Sequence, residues 1–259
     1  MTRLAFFGFL ITFIPQVMSQ SPLIVAHRGY SHLAPENSLS AFERAIEIGA
    51  PFLELDVQRS ANGTPIVIHD ESLERTTSCS ELGRTDGYTD QELQSVRIGY
   101  PSKFGLDFQH ESLPTLSQAL ELAKGRIGVC VEIKVAGIES AIIADIAKWN
   151  MEKEVVIFSF LPEVLRSIHS LAPDLKLLFL KSKARSEDLD ECLALHATAL
   201  GVGGKTQLDH AFLKEAAEKN IEIWRWTVDD VREMQRLKSL GIHAIITNRP
   251  DLGLTLHLE

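Results

Sequence analysis

From residue 23 onward, short apolar runs bounded by turn residues alternate with stretches of helical period: LIVAH, then SLSAFERAIEIG, then FLELDVQ, and later VCVEIKV, VVIFSF, LKLLFL, ALGVGG, EIWRWTV and HAIIT. Such runs read as strands, and their alternation with helices predicts a parallel sheet. The helical segments carry recognisable ends. Asn37 is placed to cap a helix over Ser38–Ile48, with Gly49 at its exit and Leu39, Phe42 and Ile46 on one stripe; Asp229 is placed to cap VREMQRLKSLG. No linker or repeat divides the chain. Eight or nine candidate strands in one α/β domain predict a (β/α)8 barrel over an open doubly wound sheet. The absence of a GxGxxG or GxxxxGK[ST] loop removes the usual support for nucleotide binding. Residues 71 to 113 break the alternation, being polar with scattered aromatics, and read as an insertion at one barrel loop after the third strand.

The first residues stand apart. One early cation, Arg3, precedes an apolar stretch from Leu4 to Ile14, then Pro15 and small residues near Ser19, the layout of a signal peptide over residues 1–19. The stretch is well short of the about 20 residues of a bilayer-spanning helix. Export to the periplasm or exterior, with residues 20–259 as the catalytic domain, is therefore expected; retention on an uncleaved N-terminal anchor is the alternative.

Composition narrows the partners. The chain has 259 residues, 45% hydrophobic and 24% charged, an ordinary globular balance. A net charge of −9 argues against nucleic acid, and no stable membrane insertion is expected after cleavage, so an anionic substrate needs local positive charge. Three cysteines make neither a disulfide framework nor a metal finger. Cys130 reads as a buried hydrophobe, while Cys79 and Cys192 pair or stay free.

The candidate chemistry lies at strand ends. In FLELDVQ, residues two apart share a face, so Glu54 and Asp56 point one way with Phe52, and Leu53, Leu55 and Val57 the other. VCVEIKV sets Glu132 and Lys134 on one face of an apolar run, where unpaired charges cost several kcal/mol. Three carboxylates need a cation, and an all-oxygen set suits Mg2+ or Ca2+ rather than zinc. His27 and His69 each follow an apolar run and are candidate proton-transfer groups. An Asn62-Gly63 two-residue turn would pair Ala61 with Thr64 and set Asp56 opposite His69. Arg28 suits bidentate binding of phosphate oxygens and Lys134 adds a point charge; a salt bridge within the carboxylate cluster is the competing use of either. Two histidines, a hard cation and fixed positive charge together specify phosphate-ester cleavage.

The stretch HRGYSHLAPENSLSAFERAIEIGAPFLELDVQRSANGTPIVIHDESLERTT, continued by LPTLSQALELA, VEIKV, WRWTVDD and LGIHAIITNRP, resembles the glycerophosphodiester phosphodiesterase family over nearly all of residues 20–259. The resemblance implies a TIM barrel of the phosphatidylinositol phospholipase C type, with residues 70–113 as the family's insertion over the cleft mouth. It implies that Glu54, Asp56 and Glu132 hold one Mg2+ or Ca2+, that His27 and His69 exchange protons, and that Arg28 and Lys134 hold the phosphate. Trp226 resembles the family's cleft-wall aromatic; Trp224 better suits a buried outer layer, although strand alternation puts both on one face. Glu36 is expected to orient Arg28 or His27. Tyr88, Tyr100, Phe104 and Phe108 would touch the alcohol side of the substrate or form the insertion's own core. The family commonly has Asn where this chain has Asp229, Asp where it has Asn248, and Asp where it has Pro51.

The implied activity is metal-dependent hydrolysis of a small-molecule glycerophosphodiester to glycerol 3-phosphate and an alcohol, through a cyclic phosphate. A lysophospholipase D-type enzyme keeps the same ion and histidines but needs an apolar channel. A secreted phosphodiester-binding protein without turnover has no use for two proton-transfer groups.

Overall fold

The computed structural model describes residues 21–77 and 83–257, and among them nine strands alternate with helices. The strands are β1 (Leu23–Ala26), β2 (Phe52–Arg59), β3 (Pro65–Val67), β4 (Gly128–Ile133), β5 (Val155–Ser159), β6 (Lys176–Lys181), β7 (Ala199–Val202), β8 (Glu222–Arg225) and β9 (Ala244–Thr247). The helices are α1 (Leu39–Glu47), α2 (Asp90–Leu93), α3 (Pro101–Phe104), α4 (Leu116–Ala123), α5 (Glu139–Trp149), α6 (Pro162–Leu171), α7 (Ser186–Ala194), α8 (His210–Glu218), α9 (Val231–Ser239) and α10 (Pro250–Leu254).

Strand order is β1-β9-β8-β7-β6-β5-β4-β2-β3, and β1 also pairs with β2, so eight parallel strands close into the expected barrel. The ninth, β3, runs antiparallel to β2 outside the closed ring. Alternation sorts the side chains as the sequence predicts. Leu53, Leu55 and Val57 join the layer between strands and helices, while Phe52 packs against the barrel-interior cluster of Val25, Cys130, Phe158, Leu178, Trp224 and Ile246. Burial on both faces is what lets these strands be almost continuously apolar. Trp224 belongs to the interior, edge-on to Phe158 at 5.5 Å, and not to the outer layer; it shares the inward face with Trp226, as strand period requires.

Three local expectations are corrected. Ser38, not Asn37, caps α1, its Oγ accepting from Ala41 N at 3.1 Å, because Asn37 sits at a left-handed φ of 60° with its amide committed to Asp56. Asp230, not Asp229, caps α9, accepting from Glu233 N at 2.9 Å. The hairpin pairs Val57 with Val67 and Arg59 with Pro65, and Ser60 N donates to Thr64 O, so Asp56 faces Ile68 rather than His69. The loop is three residues, Ala61-Asn62-Gly63, with Gly63 at φ +82°, the longer of the common hairpin solutions.

Beyond β3, the described part of residues 71 to 113 holds α2 and α3, and its Leu73, Leu93, Val96, Ile98 and Leu113 form an apolar cluster with Ile66 and Ile68, with Tyr88 against it. Tyr100, Phe104 and Phe108 form an edge-to-face run instead, with Lys103 4.9 Å from the Phe104 ring. Cys130 is buried inside the barrel, and Cys192 is a buried free thiol. Cys79 and residues 1–19, the expected signal peptide, lie outside the described residues. Among the described residues no helix is long and apolar enough to cross a membrane.

Candidate active site

The proposed reacting groups gather at the C-terminal ends of the barrel strands, where βα loops of this architecture build sites. His27 and Arg28 follow β1, Glu54 and Asp56 lie within β2, His69 follows β3, Glu132 lies in the last two residues of β4 with Lys134 directly after it, and Trp226 follows β8. The turn after β1 requires its glycine. Gly29 has φ +77°, and a Cβ there would lie 2.7 Å from the Ala41 carbonyl carbon. Arg28 also adopts a left-handed φ of 57°, a strain of about 1–3 kcal/mol that persists only when the surroundings hold it. Here they do: Arg28 N donates to Glu54 Oε2 at 2.9 Å, and the guanidinium lies between Glu36 and Asp56.

Glu54, Asp56 and Glu132 are all buried and present one carboxylate oxygen each within 4.8 Å of the others. Parallel pairing sets Asp56 beside Glu132, with Glu54 one face-step below. Asp56 is the hub. Its Oδ2 accepts from Asn37 Nδ2 at 2.8 Å and lies 3.2 Å from Arg28 Nε; its backbone N donates to Asn37 Oδ1 at 3.1 Å. Lys134 Nζ donates to Glu132 Oε1 at 2.5 Å and lies 3.1 Å from Asp56 Oδ1. That contact is charge proximity without an aligned hydrogen bond, for Asp56 Oδ1 is buried and has no hydrogen-bond partner. An orphaned oxygen among three converging carboxylates suits a hard divalent cation.

The titration of these groups follows. Burial and the Asp56 charge push Glu54 well above the usual carboxylate range, and the same two causes raise Glu132. Burial alone would raise Asp56 too, but Lys134 and Arg28 overcome it and hold this carboxyl below its ordinary value. Burial and then the Arg28 charge lower His27 to about 4; burial also lowers His69. The His27 ring is therefore neutral near pH 7 in the ion-free protein.

Each imidazole is held from behind. His27 Nδ1 lies 2.8 Å from Asn248 Oδ1, and His27 Nε2 lies 4.0 Å from Glu54 Oε2. His69 Nδ1 lies 2.6 Å from Asp70 Oδ1, and Gln58 Nε2 donates to the His69 carbonyl at 3.1 Å. Despite the shifted hairpin register, His69 still borders the same cavity as His27. Glu36 accepts from Arg28 Nη1 at 2.6 Å and also accepts twice from Arg75.

One cavity of about 180 Å3 joins His27, Arg28, Glu54, His69, Glu132 and Lys134 to an apolar wall of Phe158, Phe160, Leu180, Trp226 and Ile246. Phe160 stands perpendicular to Trp226 at 5.6 Å. The nine residues singled out in the sequence thus converge: seven line this cavity, Asp56 lies among its carboxylates, and Glu36 touches Arg28.

Five neighbours escaped sequence reasoning. Asn37 looked like a cap; Asp70 stood next to His69 without a stated role. Arg75 sits in the aperiodic insertion, where its guanidinium bridges Glu36 and Asp70. Asp229 and Asn248 meet each other only through the fold, Asn248 Nδ2 donating to Asp229 Oδ2 at 2.7 Å.

Comparison with known proteins agrees with this geometry. Residues 27–252 match the glycerophosphoryl diester phosphodiesterase family. The chain is 36% identical over 248 residues to the glycerophosphodiester phosphodiesterase of Caldanaerobacter subterraneus subsp. tengcongensis, covering 90% of this chain and 97% of that one. It is 29% identical over 249 residues to the glycerophosphodiester phosphodiesterase of Bacillus subtilis, covering 89% and 84%. Among solved structures, the glycerophosphodiester phosphodiesterase of Agrobacterium tumefaciens superposes with a TM-score of 0.80 at 27% identity, covering 91% of this chain and all of that one. An Oleispira antarctica phosphodiesterase, solved in complex with the product sn-glycerol-3-phosphate, superposes with a TM-score of 0.82 at 25% identity, covering 92% and 98%.

Proposed function

The chain belongs to the glycerophosphoryl diester phosphodiesterase family, and from that premise we propose that it hydrolyses small glycerophosphodiesters to glycerol 3-phosphate and an alcohol, with His27 and His69 as proton-transfer groups. The observation that carries this reading is the junction of two imidazoles, two fixed cations and three carboxylates at one cavity. A bound Mg2+ or Ca2+, held by Glu54, Asp56 and Glu132, would neutralise phosphate charge and acidify the attacking glycerol hydroxyl.

The residues of the chain do the rest. Arg28 and Lys134 bind the phosphate oxygens, the former through its planar fork and the latter as a point charge. One imidazole takes the proton of the glycerol 2-hydroxyl as its oxygen bonds to phosphorus; the other gives a proton to the departing alcohol oxygen as that P–O bond breaks. The cyclic phosphate so formed is opened when water replaces the alcohol and the two rings reverse roles. Trp226 and Phe160 wall the apolar side of the cavity.

Initial rates on glycerophosphocholine, with EDTA and then with Mg2+ or Ca2+ restored, test the reading. Turnover that disappears with chelation and returns with the ion supports it. Binding without turnover under every ion condition makes the protein a phosphodiester binder and overturns it. A glycerol analogue lacking the 2-hydroxyl but cleaved at full rate removes the cyclic step. Export is proposed from the N-terminal layout, with residues 20–259 as the exported catalytic domain; N-terminal sequencing of the exported protein should begin near Ser19.

A further inference from the structure

The loops after β8 and β9 meet behind His27. Asp229 Oδ1 accepts from the Thr247 hydroxyl at 2.9 Å and from Asn248 N at 2.8 Å, and its Oδ2 accepts from Asn248 Nδ2 at 2.7 Å. An ionised carboxylate only accepts, so the Asn248 group turned toward it is the NH2 and the amide oxygen faces away. On that far side Asn248 Oδ1 accepts from Ser31 Oγ at 2.9 Å and stands 2.8 Å from His27 Nδ1. An amide oxygen has no hydrogen to give. The hydrogen therefore resides on His27 Nδ1, and in the neutral ring Nε2 carries the lone pair.

We propose that Asp229 is a positioning residue which, by orienting the Asn248 amide, fixes His27 as the Nδ1–H tautomer and presents Nε2 as a proton acceptor. The inference rests on the reading of His27 as a proton-transfer group. Its force comes from the contrast with the second histidine. His69 Nδ1 is backed directly by the Asp70 carboxylate, which stabilises a ring that holds both hydrogens. His27 is backed by a neutral amide, and the negative charge of Asp229 is held one side chain further away. The two rings are thus backed differently, His27 by an amide oxygen that only accepts and His69 by a carboxylate.

The experiment follows the His27 ring nitrogens by 15N NMR in the full chain, alongside kcat and KM on glycerophosphocholine with the activating ion. In Asp229→Asn a second amide faces the first, the orientation of Asn248 is no longer dictated, and both His27 tautomers should be populated. Loss of a residue that sets a tautomer or holds a catalytic ring costs about tenfold or more in kcat, here with KM changed less than about twofold. The exchange variant Asp229→Asn with Asn248→Asp restores an acid–amide pair and an acceptor at Nδ1; it should recover the single Nδ1–H signature and kcat to within about threefold of the parent. If Asp229→Asn folds poorly, Asn248→Leu removes the acceptor while leaving Asp229 bonded to Thr247, and carries the same expectation. A single Nδ1–H tautomer in Asp229→Asn overturns the proposal, whatever kcat does, as does an exchange variant that folds but recovers neither signature nor rate. If the parent protein binds the diester without turnover, the function proposed above fails, whereas the tautomer measurement still decides this inference.

Discussion

Arg75 offers the sharpest perturbation, because one guanidinium supports both sides of the proposed reaction. Its Nε and Nη2 donate to Asp70 at 2.6 and 3.0 Å, and its Nη1 and Nη2 donate to Glu36 at 2.9 and 2.8 Å. Asp70 in turn backs His69, and Glu36 backs Arg28. Arg75→Ala should therefore loosen a proton-transfer group and a phosphate ligand together. The stability cost is modest: charge-assisted bonds are worth about 1.5–3 kcal/mol when buried, but this side chain is 38% exposed and solvent screening reduces the sum to about 1–2 kcal/mol. The catalytic cost is larger, about 10- to 100-fold in kcat, or about 1.4–2.7 kcal/mol of barrier, typical of an outer-shell partner. Arg75→Lys should fall nearer to Ala than to the parent, since an ammonium cannot satisfy two carboxylates through a planar fork. Steady-state rates on glycerophosphocholine measure the effect, and calorimetric titration of the ion supplies the control. Arg75 does not touch Glu54, Asp56 or Glu132, so ion affinity should stay within about twofold. An Arg75→Ala enzyme that keeps kcat within about twofold of the parent refutes the idea that the insertion organises the site through this residue.

His27→Ala and His69→Ala should each lower kcat by about 10²- to 10⁴-fold in steady-state assays, and parent-like rates in either would remove that ring from proton transfer. Asp56→Asn should abolish Mg2+ or Ca2+ binding in calorimetric titration while the circular dichroism spectrum is retained. Gly29→Ala, with φ +77° and a Cβ 2.7 Å from the Ala41 backbone, should cost about 2 kcal/mol or more in chemical denaturation. Raised folded-state values for Glu54 and Glu132 mean that the stability their protons give the ion-free protein is fully present below pH about 4.5 and is lost as pH rises through those raised values. The rise in Tm on adding the ion should accordingly grow from pH about 4.5 toward neutrality; a rise independent of pH would contradict it.

The carboxylate trio was legible because strand period is local: two residues apart on FLELDVQ means one face, and Glu132 needed only the neighbouring strand to meet it. The hairpin was misjudged by one residue for an equally local reason. Asn62-Gly63 suits a two-residue turn, but Ala61 also enters the loop, and nothing in the flanking residues marks the difference until the strands pair. Cap assignments failed where a side chain had a distant use. Asn37 and Asp229 both carry good capping groups, and each was withdrawn from its helix by a partner elsewhere in sequence, Asp56 for one and Asn248 for the other. Arg75 was invisible for another reason: the insertion has no period, so no face could be assigned to it.

The charges of the site explain how an acidic protein receives an anionic diester. From Glu36 through Arg28, Asp56 and Lys134 to Glu132, opposite charges alternate in an unbroken chain of ion pairs. Glu54 stands beside it, accepting from the Arg28 backbone N–H, and burial together with the Asp56 and Glu132 charges raises its carboxyl well above the usual range. Fully ionised, this set carries two net negative charges, and a divalent cation at the carboxylates brings it to zero. The two basic side chains need not abandon their carboxylates to serve a phosphate. A guanidinium has five N–H donors and an ammonium three, so Arg28 can hold Glu36 and Asp56, and Lys134 can hold Asp56 and Glu132, with donors to spare. With such an ion bound, it would set the local sign while the ion pairs set the geometry, and the surplus of acidic residues over the rest of the surface is compatible with the chemistry.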